Sequence, residues 1–288
     1  TNPTPNTTTS LIIGLLLALL SPIIFVFVKT ALYDKITDKK SIETILDNNI
    51  PIIGEIPITN EKIIQSGVRG APIESFRLIR TNLNYLSDKN KVILITSSIR
   101  GEGKTFTSIN LAQSLATTRK KVLLLGLDLK NPQLHKFLDI NKNEENGVTN
   151  YLIGNAHDID SLISKNDNVD FDFILSGPIP PNPSELLLSN KLEEIIQFGK
   201  QNYDYVIIDS APCLIVSDSL NLIKYADTTI YVIRSCFTGL ELIEYINKLS
   251  KDKIINNLAV IINGLKENDK QYSYNYGYNY GYNEEDES

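Results

Sequence analysis

The segment Ser97-Ser98-Ile99-Arg100-Gly101-Glu102-Gly103-Lys104-Thr105 is the part of the chain best equipped for chemistry. It follows an apolar run, Val92 to Ile95, and precedes a helical pattern that starts near Phe106. A strand that turns through two glycines into Lys-Thr and a helix makes a phosphate cradle. The N–H groups of the turn converge on one point, where the helix dipole adds positive potential. Lys104 is expected to neutralise β- and γ-phosphates, and the Thr105 hydroxyl to ligate Mg²⁺. Ser98 stands where glycine usually opens the pattern. The candidate nucleotide-binding set here is Ser98, Arg100, Gly101, Glu102, Gly103, Lys104, Thr105 and Phe106. The plainer alternative is a strand-to-helix turn with an incidental lysine.

Two carboxylates downstream sit at the ends of apolar runs. Lys121 to Leu127 is nearly continuous in apolar residues, as expected of a parallel strand covered on both faces, and it delivers Asp128. Val206-Ile207-Ile208 delivers Asp209 in the same way, the arrangement of a Walker B carboxylate. Parallel sheets bind ligands at the C-terminal ends of their strands, so both groups are expected on the edge that carries Lys104-Thr105. Each aspartate alone reads equally well as a cap for the following helix. Together with the phosphate loop they read as one Mg²⁺–nucleotide site, with Lys104, Asp128 and Asp209 catalytic and Thr105, Asp128 and Asp209 around the metal.

The elements that position these groups follow from pattern. A helix is expected over 106–116, short strands over 173–175, 229–233 and 258–262, and a Ser184-capped helix beginning Glu185-Leu186-Leu187. The fold class is α/β, a mostly parallel sheet flanked by helices. Ile50 to Pro57 reads as a short extended piece, because its prolines disfavour helix and strand interior. Pro72 to Leu86 has helical spacing, with Ile73, Phe76, Ile79 and Leu83 on one face. Glu74, Arg77 and Arg80 lie beside that face, placed for intrahelical pairing or for contact with another subunit.

Composition sets the wider frame. The chain has 288 residues, a net charge of −6 and no basic stripe, which argues against nucleic acid as a partner. It contains no Met, even at position 1, and is expected to be a piece of a longer protein. Cys213 and Cys236 have no metal-ligand spacing and read as buried, reduced thiols. Leu11 to Val28 is apolar apart from Gly14, Ser21 and Pro22. Its length, roughly 27 Å as a helix, fits a hydrocarbon core. Lysines follow the stretch and none precedes it, so a transmembrane helix with its C-terminal side in the cytoplasm is expected. Residues 1–10 then end an external segment, 29–70 form a cytoplasmic connector, and 71–265 form the nucleotide-binding domain.

Residues 266–288 differ from all of this. Tyr272, Tyr274, Tyr276, Tyr278, Tyr280 and Tyr282 alternate with Ser, Asn and Gly and lead into Glu284 to Glu287. No aliphatic residue is available to build a core, so a flexible acidic tail is expected. It reads as an adhesive low-complexity tail, as a period-2 strand, or as a set of phosphate acceptors behind the nucleotide site.

These residues together resemble the bacterial protein-tyrosine kinases of capsule and exopolysaccharide synthesis. The likeness is to the cytoplasmic kinase domain with the second transmembrane helix of a polysaccharide copolymerase. It covers Ser97 to Thr105 as Walker A, Leu123 to Pro132 as a second Walker A-like motif, and Val206 to Pro212 as Walker B. Glu74, Arg77 and Arg80 match the family's E-x-x-R-x-x-R oligomerisation motif, and Asn182 to Leu187 and the tyrosine tail are also typical. The resemblance implies an ATP- and Mg²⁺-dependent kinase at the bacterial inner membrane, with its kinase domain in the cytoplasm. It implies a ring-type homo-oligomer in which the tail of one subunit is phosphorylated in its neighbour's site. Polysaccharide export machinery and a tyrosine phosphatase are the implied partners, and Asn263 is the implied adenine reader. The family's second motif usually reads Asp-x-Asp-x-Arg, whereas this chain has Gly126-Leu127-Asp128-Leu129-Lys130. The P-loop elements are shared with MinD/ParA-type ATPases, which leaves an ATPase or a nucleotide-binding scaffold as alternatives.

Overall fold

The computed structural model describes residues 7–33, 39–64, 70–86, 91–140, 146–214, 218–255 and 257–266. In chain order the elements begin with α1 (Thr7–Tyr33), α2 (Lys39–Ile45), β1 (Ile52–Pro57), α3 (Ala71–Leu86), β2 (Val92–Ser97) and α4 (Lys104–Ala116). They continue with β3 (Val122–Gly126), α5 (Leu134–Phe137), α6 (Val148–Ile153), β4 (Asp172–Ile174), α7 (Pro183–Leu186) and α8 (Asn190–Asn202). The last are β5 (Tyr205–Asp209), α9 (Asp218–Leu222), β6 (Thr228–Arg234), α10 (Leu240–Lys251) and β7 (Leu258–Leu265).

The seven strands form one sheet in the order β1-β7-β6-β2-β5-β3-β4, and all of its pairs are parallel. Alternation along β2 shows how it is covered. Ile93 and Ile95 face the cluster built with Phe76 and Leu83 of α3 and Ile109 and Leu115 of α4. Val92 and Leu94 face the other side, against Leu192 and Ile195 of α8. Tyr231 and Ile233 of β6 meet Ile243 and Ile246 of α10 on that second face. Burial on both faces explains why these strands are continuous apolar runs. The α/β class expected from pattern is the fold observed.

Several local expectations are corrected. Ile50 to Pro57 is not merely extended, because residues 52–57 form β1, parallel to β7 at the sheet edge. Pro57 is tolerated there because it ends an edge strand, where one lost donor costs little. At Gly54 an added Cβ would stand 2.1 Å from Ile79 Cγ1, so glycine lets α3 lie directly on β1. Helix α4 starts at Lys104 rather than Phe106, immediately after Gly103 turns with φ 101°. Ser184 lies inside α7, not at its cap; Asn182 is the N-cap and Pro183 supplies the preset φ of the first turn. Cys213 is buried, but Cys236 is exposed on the turn after β6, with φ 56°.

Residues 11–28 fall within α1, and the side chains from Leu11 to Val26 are exposed. Among the described residues, no helix is long and apolar enough to cross a membrane. The expected transmembrane span is therefore not shown. Tyr272, Tyr274, Tyr276, Tyr278, Tyr280 and Tyr282 lie outside the described residues.

Candidate nucleotide site

Strand β2 is buried throughout and ends at Ser97, whose hydroxyl donates to the Ile99 carbonyl at 2.8 Å and begins the turn. The chain then passes Gly101 and Gly103, both at positive φ, before entering α4. At Gly103 the conformation and the space both demand glycine, since an added Cβ would lie 2.0 Å from Asn263 Nδ2. Three braces hold the loop from outside. Asn263 Nδ2 donates to the Glu102 carbonyl at 2.9 Å. Arg234 Nη1 donates to the Gly101 carbonyl at 2.8 Å. Thr238 Oγ1 donates to Glu102 Oε1 at 2.6 Å, while Glu102 Oε2 accepts from the Ile99 N–H at 2.8 Å.

Two of the expected nucleotide-binding side chains therefore face inward. Glu102 is fully buried, and burial raises its pKa against the hydrogen bonds from Thr238 and Ile99. Ser98 is also fully buried, with Oγ 2.9 Å from the Tyr231 hydroxyl, which in turn lies 3.1 Å from Cys213 Sγ. Neither side chain lines the cavity beside the loop. Arg100, Gly101, Gly103, Lys104, Thr105, Phe106, Asp128 and Asn263 do line it, together with Pro57, Ile58, Thr59, Glu61 and Lys62 from the segment after β1. The cavity measures about 410 Å³.

The charged centre is compact. Thr105 Oγ1 donates to Asp209 Oδ2 at 2.8 Å, and Ser108 Oγ donates to Oδ1 at 3.2 Å. Asp209 ends β5, is almost fully buried, and has its pKa raised to about 6 by that burial, with Lys104 and the two hydroxyls opposing. Burial lowers the pKa of Lys104, while Asp209, Asp128 and Glu102 work to keep it charged. Asp128 lies at the cavity, with Oδ1 accepting from the Asn131 N–H at 2.9 Å. The sheet edge thus gathers Lys104, Thr105, Asp128 and Asp209.

This donor set suits Mg²⁺, a hard cation that takes one or two carboxylates together with phosphate oxygens and water. The fit rests on Asp209, a buried carboxylate whose ionised form is disfavoured without a cation beside it and whose oxygen already touches the Thr105 hydroxyl. Among the described residues, no three His, Cys, Asp or Glu side chains form a metal cluster. A site that relies on one hydroxyl and phosphate oxygens does not need one.

Gly126, where a related pattern has aspartate, is crowded. Its Cβ would meet Ser176 Oγ at 3.0 Å and Ser176 N at 3.2 Å, and Ser176 Oγ donates to the Gly126 carbonyl at 2.8 Å. A side chain at 126 would require Ser176 to give by a few tenths of an ångström. Lys130 Nζ donates to Ser184 Oγ at 3.1 Å. On α3, Glu74 pairs with Arg77 at 2.5 Å within the helix, as spacing allowed. Arg80 instead donates to the Ser114 carbonyl of α4 at 2.5 Å, and burial, with Arg77 nearby, lowers its pKa. Sequence reasoning missed Arg234, Thr238 and Tyr231, because no local motif announces a side chain that braces a loop from another strand.

Comparison with known proteins bears on the fold that carries this site. The sequence family described as an AAA domain matches residues 90–260. The tyrosine-protein kinase Wzc of Salmonella typhimurium is 35% identical over 174 residues, covering 60% of this chain and 24% of the relative. The solved kinase domain of the Escherichia coli tyrosine kinase Etk superposes with a TM-score of 0.70 at 25% identity, over 81% of this chain and 96% of that one. The solved VpsO kinase domain is 33% identical with a TM-score of 0.60, over 68% of this chain and 93% of that one. The chain spans between 22% and 35% of the length of the first curated relatives it matches. The chain belongs to the AAA-domain family and, within it, to the bacterial tyrosine-kinase domains.

Proposed function

We propose that the chain is the kinase part of a bacterial protein-tyrosine kinase that transfers the γ-phosphoryl group of ATP to tyrosines of its own C-terminal segment. The carrying observation is the Thr105–Asp209 contact at 2.8 Å, with buried Asp209 behind Thr105 and with Lys104, Thr105 and Asp128 lining a nucleotide-sized cavity. The loop N–H groups and Lys104 hold the β- and γ-phosphates. Thr105, Asp209 and Asp128 hold Mg²⁺, which supplies neutralisation of phosphate charge. A loose phosphoryl-transfer transition state needs positioning and charge neutralisation more than covalent help. The tyrosine hydroxyl, with a reference pKa of about 10, loses its proton late, and Asp128, at the cavity beside Lys104, is our choice of carboxylate to take it up.

The acceptors are Tyr272, Tyr274, Tyr276, Tyr278, Tyr280 and Tyr282 of a neighbouring copy, in a homo-oligomer built through Glu74, Arg77 and Arg80. Phosphorylating all six would add about −9 to −12 charge units beside Glu284 to Glu287, which drives tails out of the sites and loosens the assembly. The exposed apolar helix α1 supports attachment to the inner membrane, with the kinase domain in the cytoplasm beside the capsule or exopolysaccharide export machinery. A tyrosine phosphatase resets the tail. Incubation of the full chain with ATP and Mg²⁺, followed by mass mapping of tail peptides, tests this. Phosphate on residues 272–282 that is absent in Lys104→Ala is expected; ADP release with a bare tail would instead make the protein an ATPase.

A further inference from the structure

Asn110 lies in the middle of α4, the helix that opens with Lys104-Thr105, and is 2% exposed. Its side chain is engaged by a segment far upstream. Oδ1 accepts from the Ile64 N–H at 2.7 Å, and Nδ2 donates to the Lys62 carbonyl at 3.2 Å. Nδ2 also donates to the Phe106 carbonyl of its own helix at 2.8 Å. The partners fix the amide's orientation, because an N–H requires the oxygen and the carbonyls require the nitrogen. The segment so held supplies Ile58, Thr59, Glu61 and Lys62 to the cavity wall, whereas Asn110 does not line the cavity.

The cradle at 101–105 takes the phosphates, which leaves the nucleoside to the rest of the lining; residues 58, 59, 61 and 62 are one stretch of it, beside Phe106, Asn131, Gln133, Phe137 and Asn263. We infer that Asn110 is a positioning residue for the nucleoside half of the bound nucleotide. It ties residues 58–64 to the same helix whose first turn meets the phosphates, and so sets the distance between the two halves of the site. Without it, the Ile64 N–H and the Lys62 carbonyl lose their partner, and the segment is left to the Ile58–Leu265 and Lys62–Asp139 contacts and the burial of Ile64. This inference rests on the nucleotide reading given under Proposed function.

The test uses the full chain and two probes, MgATP and Mg-tripolyphosphate, with binding measured by calorimetry. Asn110→Ala is expected to weaken MgATP about tenfold, the scale of one lost buried hydrogen bond, and to leave tripolyphosphate unchanged. Equal weakening of both probes would make Asn110 a mere support of the phosphate loop and overturn the inference, as would unchanged MgATP binding. Ile58→Ala covers the case in which Asn110→Ala fails to fold, since Ile58 is 61% exposed and its loss leaves the core intact. It is expected to weaken MgATP alone; no effect on MgATP would overturn the assignment of this wall to the nucleoside. A wild-type chain that bound neither probe would remove the nucleotide reading itself, and this inference with it.

Discussion

The nucleotide cavity has two walls of different construction. The loop wall, residues 100–105, is backed by buried groups that do not themselves line the cavity: Glu102 held between Ile99 and Thr238, and Asp209 between Thr105 and Ser108. The wall formed by residues 58–64 hangs from three separate moorings. The Ile58 N–H donates to the Leu265 carbonyl at 2.9 Å, Asn110 grips the backbone at Lys62 and Ile64, and Lys62 pairs with Asp139 at 2.5 Å. The first is a braced frame around a buried carboxylate whose pKa burial raises. The second is assembled from parts of the sheet edge, α4 and the end of α5, and its charges, Glu61 and Lys62, are exposed to water.

The contrast is broken most severely at Asp209. Burial raises its pKa to about 6, above the ordinary carboxylate value, so the ionised form is the one penalised in the folded chain. The unliganded protein therefore gains stability from this group as pH falls from above 6 towards 4. Binding of Mg²⁺ and nucleotide needs the ionised form and must weaken as pH falls through about 6. Asp209→Asn is expected to cost roughly 100-fold in MgATP affinity and to flatten that pH dependence. Calorimetry between pH 5 and pH 8 checks both, and an unchanged pH profile would show that Asp209 is not the titrating group.

The other wall predicts a much smaller effect. Lys62 and Asp139 are 55% and 72% exposed at their side chains, so their pairing is screened by water. Lys62→Ala is expected to weaken MgATP by about fivefold or less and to move the melting temperature little, since exposed pairs contribute about 0.2–1 kcal/mol. A loss as large as that of Asp209→Asn would mean the two walls carry equal weight, contrary to this description.

The same contrast explains what could be read from the sequence. Lys104, Thr105, Asp128 and Asp209 are legible because each is placed by an uninterrupted apolar strand, and strands of a parallel sheet end on one edge. The inward turn of Ser98 and Glu102 was not legible, because it depends on Tyr231 and Thr238, far along the chain. Nor was β1, whose prolines argue against a strand until β7 is present to pair with it. Exposure of Cys236 follows from the left-handed turn after β6, which an apolar neighbourhood in sequence does not reveal. Asn110 looked like an ordinary helix residue; its role comes from a tertiary contact with residues 62 and 64.

The central claim is that the site on one chain phosphorylates the tail of another, and a mixing experiment tests it most directly. A chain truncated after Lys266 retains the site but has no tail, while full-length Lys104→Ala retains the tail but has no working cradle. Mixed with ATP and Mg²⁺, they are expected to yield phosphate on Tyr272 to Tyr282 of the Lys104→Ala chain, and neither alone should be labelled there. A bare tail in the mixture, from a truncated chain that still binds MgATP, would contradict the account.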